Sequence, residues 1–390
     1  MDRHAAKAAW QGGHPRPDGK AAKPPAAKAP APKIVLASPA GPPVVERVRG
    51  LLAWCRPGFE GECAQELSTL AARSGSGGFA RTERGSGLVE FVGEDPALAG
   101  IRWRETIFAR QLLVLLGRAR NLPTGDRLGA LWPLLEQDGR RWCEAWVEAP
   151  DSDAGRELAT LCRGLNAALI ASLKARGLLD RASPWRLHLG LTAGDAAFIA
   201  AADVRNAAPW PGGIPRLRFP REAPSRSTLK LEEALLVLLS EGERERWLVP
   251  GMRAVDLGAA PGGWTWQLVQ RSIHVVAVDN GPMDAALLRS GLVEHRREDG
   301  FRHRPPKAVD WLVCDMVEQP VRVAARMAEW LANGWCRHAI FNLKLPMKKR
   351  YEEVERCLAL VRGQIPGIEL RARQLYHDRE EITVFARRPD

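Results

Sequence analysis

The sequence predicts a mostly parallel α/β domain whose sheet ends in an antiparallel hairpin, preceded by two smaller α+β units. Two observations support this fold class. From about residue 220, strand-like and helix-like patterns alternate, which is typical of a doubly wound α/β fold. Near the C-terminus, only three residues join two β-rich runs, residues 368–377 and Glu381–Arg387, and so short a link favours a hairpin.

Residues 1–46 are predicted to form a disordered basic segment. Ala, Pro, Lys and Gly dominate residues 1–33, which hold seven basic and two acidic side chains. With so few large apolar residues, this segment cannot offset the entropy lost on ordering. It carries nearly half of the formal net charge of +11, so the overall charge is weak evidence for a nucleic-acid partner.

The composition argues against several classes of protein. No run of about 18 apolar residues is present, so we expect no membrane span, and the N-terminus lacks the apolar stretch of a secretory signal. The seven cysteines are scattered and form no C-x-x-C pair, which argues against a zinc site or a disulfide framework. We therefore expect a metal-free, monomeric protein in a reducing compartment, the cytoplasm.

The first α+β unit is predicted over residues 47–120. Residues 51–55 have the pattern of a buried strand, and residues 59–72 that of a helix. A second strand is expected at residues 87–92, and the strongly apolar residues 107–116 complete the unit.

The second α+β unit is predicted over residues 121–215. Asp151, Ser152 and Asp153 are suited to cap the helix that follows them. The expected elements are a strand at 142–148, a helix at 154–175, strands at 185–191 and 196–201, and a stiff linker at 209–215.

The α/β unit is predicted over residues 216–390. Its expected strands are Arg253–Leu257, 274–279, 309–315 and 338–344, and its expected helices are 263–271, 282–290, 320–333 and 349–363. A parallel sheet that ends in an antiparallel hairpin is typical of the methyltransferase variant of the Rossmann-like fold.

The most informative motif lies between the first strand and helix of this unit, and reads Asp256-Leu-Gly-Ala-Ala-Pro-Gly-Gly-Trp264. Its glycines allow the backbone to approach a ligand, and a helix N-terminus offers free N–H groups. A pyrophosphate site usually has G-x-G-x-x-G, but Pro261 interrupts that spacing. The motif therefore favours S-adenosylmethionine, which has no phosphate and a zwitterionic end.

Three aspartates follow successive strand regions of this unit. Asp279 lies about 20 residues after the first glycine, where a carboxylate accepts hydrogen bonds from a ribose. Asp299 is suited to the adenine amino group, and Asp315 follows the fourth strand region. Because ligands bind at the carboxyl ends of such strands, the three predict one pocket. The alternative is that each aspartate only caps the next helix.

Lysine is rare in this chain beyond residue 33, with 44 arginines and six lysines. A retained lysine indicates a position that needs an amine able to lose its proton, which arginine cannot do. Lys344, at the end of a predicted strand, and Lys230, before the first predicted strand of the α/β unit, are the two candidates. Compositional chance is the alternative.

Five short motifs carry a resemblance to a known family. They are Ser225-Arg-Ser-Thr-Leu-Lys230-Leu-Glu-Glu, Asp256-Leu-Gly-Ala-Ala-Pro-Gly-Gly-Trp264, Cys314-Asp315-Met, Asn342-Leu-Lys344 and Glu380-Glu381-Ile-Thr-Val. They resemble the FtsJ-type ribose 2′-O-methyltransferases, which use a Lys-Asp-Lys-Glu tetrad. Residues 51–67, 107–112 and 146–151 also resemble the RlmM family of 23S ribosomal RNA methyltransferases. That family has a ferredoxin-like domain and an RNA-binding THUMP domain before the catalytic domain.

The resemblance implies specific roles and a substrate. The tetrad falls on Lys230, Asp315, Lys344 and Glu381, with Glu380 as the neighbouring alternative to Glu381. By this resemblance Lys344 is the proton acceptor in 2′-O-methylation of 23S ribosomal RNA, at cytidine 2498. We expect burial and the nearby Lys230 cation to lower the pKa of Lys344 for this role. The implied S-adenosylmethionine contacts are Ser227, Ala260, Pro261, Gly262, Gly263, Asp279, Asp299 and Asp315. The four cations within residues 344–350 are expected to hold RNA, and a solvated surface is the alternative.

Three other functions compete with this interpretation. A THUMP-linked base N-methyltransferase usually has [N/D]-P-P-[Y/F] after the fourth strand, where this chain reads Cys314-Asp315-Met-Val-Glu-Gln-Pro. A non-catalytic ribosome-assembly factor would not need the complete tetrad. A nicotinamide-dependent dehydrogenase is disfavoured by the terminal hairpin and by the missing third glycine.

Overall fold

The computed structural model describes residues 41–389, so most of the segment predicted to be disordered, residues 1–46, lies outside the described residues. The prediction fails at its C-terminal edge, because β1 (Val44–Trp54) begins within that segment. The first part of β1 is largely exposed and is held by its ladder with Ala119 and Arg118 on a neighbouring strand. Apolar content could not reveal it, because backbone pairing and not burial orders these residues.

The N-terminal elements form one mixed sheet. In chain order they are β1, α1 (Glu60–Arg73), β2 (Phe79–Thr82), β3 (Leu88–Val92), β4 (Gln111–Arg120), α2 (Trp132–Asp138), β5 (Glu144–Glu148), α3 (Asp153–Glu157), α4 (Ala159–Ala175), β6 (Trp185–Ala193) and β7 (Ala196–Asp203). The strand order is β2-β3-β1-β4-β7-β6-β5, and only β5 and β6 pair in parallel. Because β4 pairs with both β1 and β7, the two predicted α+β units share a single sheet.

Two local features differ from the sequence prediction. The helix expected over residues 154–175 is interrupted at Leu158, whose N–H donates to Gly155 O, a tight i→i−3 bond that ends α3. Ser152 caps α3, with its side chain accepting from Gly155 N at 3.1 Å. The strand β2 was not predicted, because its residues are largely exposed and carry no apolar periodicity.

The second sheet contains the α/β elements. They are α5 (Thr228–Leu238), α6 (Glu241–Trp247), β8 (Arg253–Leu257), α7 (Gly263–Val269), β9 (His274–Val278), α8 (Ala285–Arg289), β10 (Val293–Arg296), β11 (Val309–Cys314), α9 (Pro320–Ala332), β12 (Cys336–Lys344), α10 (Arg350–Gln364), β13 (Glu369–Arg373) and β14 (Glu381–Arg387). The strand order is β10-β9-β8-β11-β12-β14-β13. The first five strands are parallel and β14 is antiparallel to both neighbours, which confirms the predicted parallel sheet with a terminal hairpin. The connection of that hairpin, residues 374–380, is longer than predicted.

The strand order has a switch point between β8 and β11. From β8 the chain adds β9 and β10 on one side, and it then crosses to add β11 and β12 on the other side. The carboxyl ends of β8, β9, β11 and β12 consequently meet at one edge of the sheet, and ligands of doubly wound sheets bind at such an edge. None of the helices between residues 41 and 389 is long and apolar enough to cross a membrane.

The two sheets are joined through a shared hydrophobic core. Phe108 and Ala109 of the N-terminal part belong to the same buried cluster as Tyr351 and Ile382 of the α/β part. The buried Arg373 of β13 adds polar contacts across the junction, donating to Trp103 O, Thr106 Oγ1 and Ala109 O at 3.0, 2.8 and 2.6 Å.

Candidate active site

Two lysines and two carboxylates form a closed ring at the carboxyl edge of the second sheet. Lys344, the last residue of β12, donates from Nζ to Asp315 Oδ1 at 3.1 Å and to Glu381 Oε2. Lys230, in the first turn of α5, lies 3.4 Å from Asp315 Oδ2 and forms an ion pair with Glu381 Oε1. Each carboxylate therefore holds both amines, and the structure brings together all four residues of the expected tetrad.

The β-strand register places these groups. Lys344 and Glu381 lie opposite each other in the antiparallel ladder of β12 and β14, and Asp315 follows the neighbouring β11. Asn342, two residues before Lys344 and on the same face of β12, donates to Asp315 Oδ1 at 2.9 Å. Thr383 of β14 donates to Asn342 Oδ1 at 2.7 Å and so fixes that amide.

Asn342 and Thr383 are positioning residues that sequence reasoning missed. Asn342 and Thr383 both lie within motifs that carry the family resemblance, but neither was assigned a role. A signal was present, because Asn342 and Lys344, like Thr383 and Glu381, are two residues apart on a strand and share one face. A buried polar residue in such a position indicates a hydrogen-bonded network.

The site is partly shielded from solvent. The side chain of Glu381 is 5% exposed and that of Lys344 is 27% exposed. Burial lowers the pKa of Lys344, but Asp315 and Glu381 outweigh it, and together they hold the pKa above its ordinary value of 10.5. The expectation that burial and Lys230 bring this pKa toward neutrality is therefore wrong for the ligand-free site, because it neglected the two carboxylates.

The neighbouring glutamates have different partners. Glu380 has a side chain that is 63% exposed, and it accepts from Arg350 Nη2 at 2.7 Å. Glu381 faces the two lysines. The alternation of side chains along β14 separates the two, so that only Glu381 enters the ring.

The glycine-rich loop packs tightly against the start of α5. Gly258 and Gly262 have positive φ angles of 80° and 117°, which favour glycine. A Cβ on Gly263 would overlap the hydroxyls of Ser225 and Ser227, which are 2.6 Å apart. The backbone of this loop is therefore close enough to the hydroxyl pair to exclude any side chain there.

Asp279 ties the loop to the end of β9. Its Oδ2 accepts from Ala260 N at 3.1 Å, and its Oδ1 accepts from Gly281 N at 2.7 Å. Asp299 has a half-exposed side chain that accepts from Phe301 N at 2.9 Å, an interaction that caps the turn. This contact is not the helix cap of the alternative interpretation, because no helix lies between β10 and β11.

Asp256 is a buried carboxylate that the predicted set of cofactor contacts did not include, although it belongs to the quoted motif. Its Oδ2 accepts from Thr265 Oγ1 at 2.7 Å, and its Oδ1 has no hydrogen-bond partner among the described residues. Burial raises the pKa of Asp256 to about 7, with a contribution from the nearby Asp315 and Asp279.

These residues fit S-adenosylmethionine. Three carboxylates, Asp256, Asp279 and Asp315, lie near one another beside the glycine loop, and the buried Oδ1 of Asp256 lacks a donor. The cofactor carries positive charge on its sulfonium and on its ammonium, which matches this excess of negative charge. Among the described residues, no group of three or more His, Cys, Asp or Glu side chains could hold a metal ion.

The tetrad opens into a cleft of about 1720 Å³ between the two sheets. Lys230 and Lys344 line one wall. The remaining lining is of mixed charge, because it holds seven Asp or Glu side chains beside six arginines: Arg56, Arg81, Arg84, Arg156, Arg226 and Arg379. Of the four cations expected to hold RNA, Lys348 and Lys349 are exposed. Arg350 is instead engaged with Glu62 and Glu380, because it lies between α1 and β14.

Three family models match the chain. They are the RlmM ferredoxin-like domain at residues 48–113, the N-terminal domain of ribosomal RNA large subunit methyltransferase M at residues 126–203, and FtsJ-like methyltransferase at residues 223–349. The first match confirms the predicted ferredoxin-like domain, and the third confirms the predicted S-adenosylmethionine-dependent methyltransferase domain. The THUMP assignment stays a prediction.

Curated relatives align with nearly their whole length. Ribosomal RNA large subunit methyltransferase M from Xanthomonas oryzae pv. oryzae (strain PXO99A) is 54% identical over 345 residues, which is 87% of this chain and 99% of the relative. The protein of that name from Xanthomonas campestris pv. campestris (strain B100) is 55% identical over 346 residues, with the same coverage. The solved structure of TrmN from Thermus thermophilus is 20% identical over 86% of this chain and 99% of that chain, with a TM-score of 0.31, too low to support an inference.

Proposed function

The chain belongs to the ribosomal RNA large subunit methyltransferase M family, and we propose that it methylates a ribose 2′-hydroxyl of 23S ribosomal RNA. The observation that carries this proposal is the ring of Lys230, Asp315, Lys344 and Glu381 at the wall of the large cleft. A ribose hydroxyl is a poor nucleophile, and a positioned amine is suited to remove its proton. By the family resemblance, the proposed nucleotide is cytidine 2498.

The geometry gives each residue of the ring a task. Lys344 is the proton acceptor, because it is the more exposed of the two amines, with 27% of its side chain exposed against 17% for Lys230. Asp315 and Glu381 orient both amines. Lys230 holds the second oxygen of each carboxylate, so that neither carboxylate rotates away from Lys344.

The proton transfer needs a neutral Lys344, whereas the ligand-free site favours the charged form. When bound, S-adenosylmethionine would supply the methyl group and a positive charge. A cation beside Asp315 would weaken the hold of this carboxylate on Lys344 and so lower the lysine pKa. Holding the hydroxyl and the methyl donor in line contributes further, up to about 7–11 kcal/mol of the barrier.

The two competing functions in RNA biology are less well supported. A base N-methyltransferase needs acceptors for an exocyclic amino group after the fourth strand, but here Asp315 is committed to two lysines and to Asn342. A non-catalytic assembly factor would not need two lysines and two carboxylates in contact within a partly buried site. Such an arrangement costs desolvation free energy.

Mapping of methyl groups on ribosomal RNA tests the proposal. The expected result is one ribose methylation on 23S ribosomal RNA, made by the purified chain with S-adenosylmethionine and missing from cells that lack it. A methyl group on a base, or no change in the map, would contradict the proposal. Free 23S RNA and precursor particles should be compared as substrates in the same assay.

A further inference from the structure

Arg110 is a buried guanidinium without a hydrogen-bond partner. Its side chain is 3% exposed, and none of its three nitrogens donates a hydrogen bond within residues 41–389. Its backbone is firmly held, because Arg110 N donates to Trp54 O at 2.7 Å and Arg110 O accepts from Trp103 Nε1 at 2.9 Å. Buried charged donors in native proteins nearly always have an acceptor, so we expect the Arg110 guanidinium to bind one.

Arg110 lines a cavity of about 190 Å³ at the junction of the two sheets. Water occupies about 30 Å³ per molecule, so the cavity has room for a group of phosphate size. Arg216 lines the same cavity, with a side chain that is 64% exposed and able to reach a ligand from outside. Pro150 and Asp151 belong to this cavity and also to the large cleft that contains Lys344, so the two spaces adjoin.

Two guanidiniums share a single carboxylate at this junction. Asp151 lies 3.6 Å from Arg110 Nη1 through Oδ2 and 3.5 Å from Arg216 Nη2 through Oδ1. Burial lowers the pKa of Arg110, and the nearby Arg56 cation lowers it further. Arg56 and Arg216 also contact Tyr376, through its carbonyl oxygen at 3.2 Å and its hydroxyl at 3.3 Å.

The other carboxylate of the cavity already has its own donors. Glu148 Oε1 accepts from Trp54 Nε1 at 2.7 Å and lies 2.7 Å from His188 Nδ1. Its Oε2 accepts from Gly212 N at 2.7 Å. Each oxygen of Glu148 therefore already has a donor, and Asp151, 3.6 Å from Nη1, does not accept a hydrogen bond from Arg110.

We propose that the cavity of Arg110 and Arg216 binds a phosphate group of the RNA backbone. This rests on the proposed function, since it assigns a second contact to the same substrate. Guanidiniums bind phosphate oxygens through paired N–H donors, and phosphate contacts position a nucleic acid without reading its sequence. The cavity thus fixes where the RNA strand lies relative to Lys344.

The test compares three variants with the native chain. Arg110→Met and Arg216→Gln each remove one guanidinium, whereas Arg356→Gln is the matched control, since Arg356 on α10 is 61% exposed and pairs only with Glu353. Affinity is measured for 23S ribosomal RNA from cells lacking the enzyme, at several salt concentrations. We expect Arg110→Met and Arg216→Gln to bind about tenfold more weakly. The slope of log affinity against log salt should fall by about 0.7–0.9 per lost contact.

Further readouts separate an RNA contact from a structural role. The KM for RNA should rise in both variants, while kcat at saturating RNA and the affinity for S-adenosylmethionine stay unchanged. Arg110→Met should melt at the same temperature as the native chain or higher, because it removes a buried charge without a hydrogen-bond partner. A lower melting temperature together with unchanged RNA affinity would make Arg110 structural and would overturn the proposal.

Arg216→Gln keeps the test decisive if Arg110→Met does not fold. Native RNA affinity and native salt slope in Arg216→Gln would overturn the proposal. Inorganic phosphate is the second probe: if it raises the melting temperature only when Arg110 is present, while RNA binding is unaffected in both variants, the site takes free phosphate and the RNA assignment fails. A base-methylated product with Arg110-dependent RNA binding would instead overturn only the proposed ribose chemistry.

Discussion

Lys344 and Glu381 are directly opposed in the antiparallel ladder of β12 and β14, and the lysine Nζ donates to the carboxylate across that ladder. The contact therefore depends on strand register and not on a flexible loop. A shift of one residue in this pairing would turn Glu381 to the other face of the sheet and bring Glu380 or Ile382 opposite the lysine.

Replacement of Lys344 should abolish methylation and spare cofactor binding. General bases contribute about 10²–10⁴-fold, so Lys344→Met should lose at least that factor in kcat. Lys344→Arg should fail as well, because arginine stays protonated. Lys307→Met, at an exposed residue outside the cleft, is the control. Titration calorimetry with S-adenosylmethionine checks that binding survives, and substantial turnover in Lys344→Met would refute the base assignment.

The rate should rise with pH. Because Asp315 and Glu381 hold the pKa of Lys344 above 10.5, the neutral amine is a small fraction of the free enzyme at pH 7 and grows tenfold per pH unit. A profile of kcat/KM, which reports the free enzyme, should therefore increase from pH 7 to 9 without a plateau. A plateau near pH 7 would show that another group limits the reaction.

Glu381→Gln should move that profile to lower pH. Removal of a negative charge in contact with Lys344 favours its neutral form, and such contacts change a pKa by about 1–3 units. The maximal rate should nevertheless fall, because the amide no longer orients both amines. Glu380→Gln is a matched control on the neighbouring exposed residue. Equal effects of the two substitutions would contradict the claim that Glu381, and not Glu380, belongs to the ring.

Asp256→Asn should stabilise the ligand-free protein at pH 8 and weaken cofactor binding. Burial, with Asp315 and Asp279, raises the pKa of Asp256 from 3.8 to about 7. Because the pKa of Asp256 is raised in the folded chain, the contribution of this carboxyl group to folding stability is fully present below about pH 4. It is lost as the pH rises through about 7. The loss is on the order of 4 kcal/mol.

Thermal unfolding at pH 5 and pH 8 checks this prediction. The melting temperatures of Asp256→Asn and of the native chain should differ more at pH 8 than at pH 5. Asp299→Asn, which changes a half-exposed carboxylate, should show no such difference. An equal shift at both pH values would mean that Asp256 is not titrating.

The sequence predicted the elements whose residues are buried in a regular pattern. Arg253–Leu257 and Glu381–Arg387 match β8 and β14, because each is a mainly apolar run bounded by polar residues. The helix α5 was noticed only as a motif, since most of its surface is buried and it lacks an amphipathic stripe. β10 was missed for the opposite reason, because none of its four residues is fully buried.

The chemistry of the site was easier to foresee than its electrostatics. The family resemblance of the motifs that hold Lys230, Asp315, Lys344 and Glu381 predicted the four members of the ring. The direction of the Lys344 pKa could not be foreseen, since it depends on distances that only the folded chain fixes. Arg110 gave no signal for the same reason, because its lack of an acceptor is a property of tertiary packing.

The hydrophobic core shared by the two sheets has a consequence for how the chain melts. Phe108 is fully buried, and its core continues through Tyr351 and Ile382. Neither half can lose its fold without exposing apolar surface of the other, so residues 41–389 should unfold in one cooperative calorimetric transition. A fragment cut between residues 215 and 216 would expose that surface and should aggregate, although the cut lies between two family domains.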